Sequence, residues 1–389
     1  MQLTSTLLMA LAATSVSACG VAPVSLPRSV NSIFARGSGA KVYTLETAPG
    51  ETIQVTEEEK LALMDRRVHF FDITEWPEAP NAMLEGVQKR AALPYPSALT
   101  HRCNATKAAA KLSKDNMQAN VERFSAFHNR YYMSNWGVQS AEWLHGQIKA
   151  VLDQYGHPSA NIRYVRHNAW AQPSIIVTLP GQTARTVVVG GHLDSIISGD
   201  RGTGRAPGAD DNASGSMTIL ESMRVFLQDP RVRAGELTNT VEFHWYAAEE
   251  AGLLGSQQIF TEYATFRRQV VAMLQQDMTG YKGRDGRERF GLITDFVDAD
   301  LVAFLKLVIG GYTDIPYEEG LCGYACSDHG SAFRSNFPSA FVFETVFGNH
   351  NPHIHTPNDT VEHISYDHMI QHAKMITGYL FELAWWGFA

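Results

Sequence analysis

A chain of 389 residues with 44% hydrophobic, 10% aromatic and 19% charged residues has the make-up of an ordinary globular protein, which excludes the disordered, fibrous and low-complexity classes. The formal net charge of -8, with no long basic run, excludes the electrostatic footprint of a nucleic-acid binder. Length alone permits one large domain or two modest ones.

The opening MQLTSTLLMALAATSVSA carries an apolar run from Leu7 to Ala13 and then Val16-Ser17-Ala18, the pattern of a secretory signal peptide over residues 1–18. That run is too short to span a bilayer, so a secreted, extracellular protein with no membrane partner is expected. Residues 19–90 differ in pattern from the remainder of the chain, with a Ser-, Gly- and Pro-containing stretch, an acidic helical segment TEEEKLALMDRR, and VHFFDIT. The dibasic pair Lys89-Arg90 precedes AALPYPS, which predicts a pro-segment over 19–90 that is cut to leave 91–389. Export implies an oxidising compartment, so Cys322 and Cys326 in LCGYACSDHG are expected to form a local disulfide rather than to bind metal. Cys19 and Cys103 have no evident mates. Asn104-Ala-Thr106 and Asn358-Asp-Thr360 are glycosylation sequons, with Asn104 the expected site, and Asn212-Ala-Ser214 also matches.

From Tyr95 onward, helical spacing joins Val121, Phe124, Phe127 and Tyr131, and again Leu144, Ile148, Val151 and Leu152. Strands are expected at SIIVTL, RTVVVGG, TVEFHWYA, QVVAMLQQ, RFGLIT and SAFVFET, interleaved with helices at SGSMTILESMRVFL and LLGSQQIFTEYATF. A last helix runs from about Tyr366 to Trp385, with Met369, Ala373, Ile376, Leu380 and Leu383 on one stripe. Strands apolar on both faces and alternating with helices predict an α/β fold, a three-layer αβα domain around a central, largely parallel mixed sheet.

Ligands in such sheets gather beyond the carboxyl ends of the strands. RTVVVGG runs into His192-Leu-Asp194, TVEFHWYAA into Glu249-Glu250, QVVAMLQQ into Asp277, and Asp210-Asp211 stand between a glycine-rich loop and a helix. Taken singly, a strand-terminal acid is more often a helix cap or a solvated loop residue. Four such coincidences at one sheet edge favour a metal centre, and a mixture of imidazole with carboxylates suits zinc. A carboxylate shared between two metals would hold them about 3.5–4 Å apart, the arrangement of two-metal hydrolases. No GxSxG elbow, HExxH helix or GxxxxGK[ST] loop is present.

GGHLDS, GADDNASG, YAAEEAGLLGS, QQDMTGY, CGYACSDH and HIHTPNDT, in this order and spacing, resemble the secreted bacterial and fungal leucyl aminopeptidases of metallopeptidase clan MH, over roughly Tyr95 to the C-terminus. The resemblance implies a phosphorylase/hydrolase-like zinc exopeptidase architecture and two zinc ions per chain. His192 and Asp277 would hold one zinc, Glu250 and His355 the other, with Asp211 bridging, Glu249 as general base and Asp194 orienting His192. Only the resemblance selects His355 over the nearby His350, His353 and His363. It also implies an apolar substrate pocket of Met278, Ile293, Tyr324, Phe341, Phe343, Phe347 and Ile354, with Tyr324 the best candidate for touching the substrate or transition state. A monomeric enzyme is expected, removing leucine and other large apolar residues from peptide or protein N-termini. The rival readings are a glutaminyl-cyclase-like acyltransferase, a metal-free binding module on the same fold, and a carboxypeptidase with the same ligands.

Overall fold

The computed structural model describes residues 41–79, 81–84 and 93–388. The expected signal peptide, Cys19, the Lys89-Arg90 pair and Ala91 lie outside the described residues. In the N-terminal segment expected to be a leader, strands β1 (Tyr43–Ala48), β2 (Glu51–Val55) and β3 (Phe71–Asp72) form a three-stranded antiparallel sheet in the order β2-β1-β3. Between β2 and β3 lies the helix Glu57–Asp65. Thr56 starts it through a capping box: its hydroxyl accepts the Glu59 N–H at 3.3 Å, and the Glu59 carboxylate accepts the Thr56 N–H at 2.8 Å. Leu45, Val55, Leu63 and Phe70 give this small layer a core of its own.

The main sheet comprises β4 (Asn161–Val165), β5 (Ser174–Leu179), β6 (Thr183–His192), β7 (Asn239–Tyr246), β8 (Gln269–Gln275), β9 (Phe290–Ile293), β10 (Tyr317–Gly320) and β11 (Ser339–Phe343). Its order is β10-β9-β11-β8-β6-β7-β5-β4, and the four central strands β11, β8, β6 and β7 run parallel. The antiparallel pairings are β11 with β9, β7 with β5, and β5 with β4. The mixed αβα fold expected from the chain pattern is therefore observed.

Strand periodicity shows in the partition of side chains between layers. On β6, Val187 and Val189 pack with Met217 and Leu220 of the helix Gly215–Phe226 and with Ile376 and Leu380 of the helix Tyr366–Leu383. Val188, between them, joins Ile259, Phe260 and Tyr263 of the helix Leu254–Thr265 on the opposite face. All of β7 is buried, as a strand covered on both faces must be.

One expectation needs correction, and two strands were not foreseen. The helix Lys114–Ser125 stops before Phe127 and Tyr131, because the Arg205 guanidinium takes the carbonyls of Ser125, at 2.9 Å, and His128, at 3.1 Å, which a continuing helix would use. The edge strands β4 and β10 escape the sequence pattern, since both are short and partly exposed and lack a continuous apolar run. Among the described residues, no helix is long and apolar enough to cross a membrane.

Candidate metal centre

Parallel strands of equal direction bring their carboxyl ends to one edge, and the acids gather there. His192 is the last residue of β6, Glu249 and Glu250 follow β7, and Asp277 follows β8. Asp211 comes from the turn Ala209–Ser214, where it and Asn212 depart from helical geometry across a cis Asp211–Asn212 peptide bond. The N–H groups of Asp210 and Asp211 are both taken by Asp359, at 3.0 Å each, and neither aspartate caps the following helix, whose N-cap is Ser214; the Asp210 carboxylate accepts from Gly280 and Asn351 instead. Asp211 points outward between two imidazoles.

One oxygen of Asp211 lies 3.1 Å from His192 Nε2 and the other 3.1 Å from His355 Nε2. His192 Nε2 is also 3.3 Å from Asp277, and His355 Nε2 is 2.9 Å from Glu250. Asp194 stands behind the cluster, 3.4 Å from His192 Nδ1, and accepts the backbone N–H groups of Glu249 and Glu250 at 3.1 and 3.3 Å. One buried carboxylate thus ties the imidazole of β6 to the acidic pair after β7. Of the neighbouring histidines, His353 stacks on His363, with ring centroids 4.1 Å apart. His350 packs against Phe343 and Phe347 in the cleft, where burial pushes it down to about 4. Only His355 faces Asp211 and Glu250.

Several supporting groups carry no sequence signal. Arg130, fully buried, binds the carbonyls of Leu193, Pro207, Gly208 and Asp211 and so pins both segments that lead into the cluster. A lone arginine in HNRYYMSNWG matches no motif. Ser327 donates to Asp277 at 2.6 Å. Asn212 uses its amide fully, donating to the Gln276 carbonyl and accepting from the N–H groups of Gly215 and Met278, so this buried sequon is closed to glycosylation. Asn358 is exposed, whereas Asn104 is half-buried within the helix Arg102–Ala109.

The expected substrate pocket divides. Met278, Ile293, Phe341, Phe343 and Ile354 form one apolar cluster with Cys326, and Phe347 packs onto it. Tyr324 lies elsewhere, against Phe71 and Phe296, with its hydroxyl on Glu46. The Cys322–Cys326 disulfide is present, while Cys103 is free and exposed. A cleft of about 230 Å³ joins the apolar cluster to Asp211, Glu249, Glu250, Asp277 and His355.

The leader enters this cleft, which no sequence pattern signalled. Met64, Arg67, Val68, His69 and Phe70 line it together with the acids. His69 is solvent-accessible in the cleft, yet the protein crowded around it holds its imidazole below its ordinary value, and His355 adds to the lowering. Arg201 grips the leader helix through the Leu61 carbonyl, at 3.0 Å, and Asp65.

The donor set fits zinc. His192, Asp211 and Glu250 offer ligand atoms within 4.8 Å of one another, the mixture of nitrogen and oxygen that zinc accepts. Glu250 Oε1 is buried without a hydrogen-bond partner. Burial drives Glu249 far above the carboxylate range and Glu250 to about 7, the response of crowded acids lacking a cation. Burial would lower His192 and His355, but the Asp277 and Glu249 charges at His192, and the Glu250 and Asp211 contacts at His355, raise both well above their ordinary value. Cys322, Cys326 and His329 also converge, but the disulfide removes both thiolates.

A buried imidazole and carboxylate cluster at the open end of a parallel sheet, beside an apolar cleft, defines a metal-dependent hydrolase of the exopeptidase class. Residues 174–380 match the model of peptidase family M28. Leucine aminopeptidase 1 of Arthroderma gypseum is 49% identical over 351 residues, covering 89% of this chain and 93% of that protein. Leucine aminopeptidase 1 of Uncinocarpus reesii is 49% identical, covering 88% of this chain and 89% of its own. The crystal structure of the Legionella pneumophila LapA aminopeptidase superposes with a TM-score of 0.76 at 27% identity, over 89% of this chain and 99% of that one. The chain belongs to peptidase family M28, among the leucyl aminopeptidases, and is a zinc-dependent aminopeptidase acting on peptides with free N-termini.

Proposed function

We propose that this is a secreted two-zinc aminopeptidase that removes leucine and other large apolar residues, made as a precursor whose leader covers the metal centre. The observation carrying the two-metal reading is the Asp211 carboxylate, which presents one oxygen to His192 and the other to His355. His192 and Asp277 would hold one ion, His355 and Glu250 the other, and Asp211 both. Bound zinc supplies Lewis acidity toward the scissile carbonyl and lowers the pKa of water.

The remaining work falls to side chains of this chain. Glu249, unengaged by either imidazole, takes the proton of the attacking water and passes it to the leaving amine. Asp194, its carboxylate 3.4 Å from His192 Nδ1, favours the tautomer with the proton on Nδ1 and so leaves Nε2 free to bind metal. The apolar cluster of Met278, Phe341, Phe343 and Ile354, buried and open to the cleft, supports a preference for large apolar N-terminal residues.

Removal of residues 19–90 after Arg90 would clear the cleft of Val68, His69 and Phe70. The test is zinc titration of chelator-stripped processed protein against a leucyl anilide and its N-acetylated counterpart. Activity on the free amine alone that saturates at two zinc ions per chain is expected. Saturation at one ion, or equal cleavage of the blocked substrate, would overturn the proposal.

A further inference from the structure

The leader leaves the metal centre along a seat built for an extended chain. Beyond His69, the Asp72 N–H donates to the Gly252 carbonyl at 3.1 Å, and Gln257 Nε2 donates to the Asp72 carbonyl at 3.2 Å. Gly252, two residues after Glu250, has φ +103, and a Cβ there would come within 2.9 Å of Asp72 and of the Phe70 ring. Main chain approaches closely because position 252 carries no side chain. Phe71 fills a pit with Leu253, Ala325 and Tyr324, its ring centroid 5.4 Å from that of Tyr324, beneath the Arg334 guanidinium at 5.1 Å. Farther on, Trp76 packs against the cluster of Trp170 and Leu254.

The polarity of this limb is that of a substrate. Residue numbers rise with distance from the metal centre, from His69 in the cleft to Asp72 on Gly252 and Trp76 beyond. A peptide whose free amino end sits at the metals also departs in the N-to-C sense. Backbone hydrogen bonds of this kind read chain direction, while pits between them read side chains. The preceding limb, residues 64–68, approaches the metals in the opposite sense and offers no such match.

We infer that the seat vacated by residues 70–76 binds the part of the substrate that follows the scissile bond, and that it selects extended peptides carrying a downstream aromatic residue where Phe71 now lies. The inference rests on the aminopeptidase reading and on removal of the leader. Two backbone hydrogen bonds and one aromatic pit make the seat selective for length as well as for side chain, and a leucyl anilide cannot reach it.

The test uses the zinc-loaded full chain after cutting at the dibasic pair. Leucyl hexapeptides with phenylalanine placed in turn at positions two to five are compared with the leucyl anilide. One placement should raise kcat/KM about tenfold over an all-alanine hexapeptide, mainly through KM, a gain in keeping with burial of one aromatic ring in the Phe71 pit. Gln257→Leu should lower kcat/KM for every hexapeptide relative to the anilide, because it removes a backbone contact common to them all. If that variant does not fold, an N-acetylated peptide of residues 70–76 decides, since it should compete with the favoured hexapeptide at concentrations that leave the anilide reaction untouched. Equal kcat/KM for all hexapeptides, or no competition by the acetylated peptide, would overturn the inference. Failure to cleave even the anilide would instead strike the aminopeptidase reading beneath it.

Discussion

Latency of the uncut chain should depend on one buried ion contact. Glu46 of β1 and Arg334 of the main domain are each 4% exposed at the side chain and meet at 2.8 Å. The Glu46 carboxylate also accepts from Asn81 at 3.0 and 3.2 Å and from the Tyr324 hydroxyl. Glu46→Gln keeps the shape but replaces one acceptor with a donor and leaves the Arg334 charge without a counter-charge. Breaking a buried pair on one side costs about 3–5 kcal/mol. Because the two partners lie on opposite sides of the docked surface, that cost weighs on docking. Every 1.4 kcal/mol is about tenfold in an equilibrium, so the lifted fraction of the leader should rise by about a hundredfold or more. The assay is leucyl anilide hydrolysis by a chain kept whole with Lys89→Ala and Arg90→Ala, with and without Glu46→Gln, alongside limited proteolysis of the leader. A whole chain as active as the cut one would refute the idea that the leader covers the centre. Unchanged latency and unchanged protease resistance in the Glu46→Gln chain would refute the assignment of docking energy to this contact.

Asp194→Asn should weaken zinc binding about 10- to 100-fold, because the amide cannot accept from His192 and from both backbone N–H groups at once; competition with a chromogenic chelator measures it. Glu249→Gln should keep its zinc while losing about a hundred- to ten-thousandfold in kcat, and a fully active, zinc-loaded variant would remove Glu249 from the mechanism. His167 lies between Gln258, at 2.7 Å, and Ser174, at 2.9 Å, and burial lowers it to about 4. Because the unfolded chain takes up this proton near pH 6.5 and the folded protein only near 4, the stabilisation is whole above pH 6.5 and is lost as pH falls toward 4. His167→Gln should therefore flatten the fall in urea midpoint between pH 7 and pH 4.5, and an unaltered pH profile would exclude His167 as its source.

Much of this architecture is legible in the chain because its signals are local. RTVVVGG carries three successive valines, as a strand covered on both faces does, and TVEFHWYA alternates Val241, Phe243 and Trp245 with Glu242 and His244; they became β6 and β7. The acids that follow such strands lie at the sheet's carboxyl edge by topology alone, so His192, Glu249, Glu250 and Asp277 could be nominated without coordinates. What tertiary structure decided is which of these groups meet. Asp211 could be read locally as a helix cap, but the helix starts only at Gly215, and Asp359, from a distant loop, anchors the Asp211 N–H while its carboxylate stands between two imidazoles. Arg130 holds four carbonyls from two separate segments, an arrangement with no trace in its neighbours in sequence. Tyr324 was expected at the substrate, but the docked leader engages its ring through Phe71 and its hydroxyl through Glu46. VHFFDIT reads only as part of a leader, yet folding brings His69 to the metal centre and Phe71 into a pit made by Leu253 and Ala325. Periodicity records how each segment buries its own apolar face, whereas contacts between segments far apart in the chain are settled by shape and charge, which local pattern does not encode.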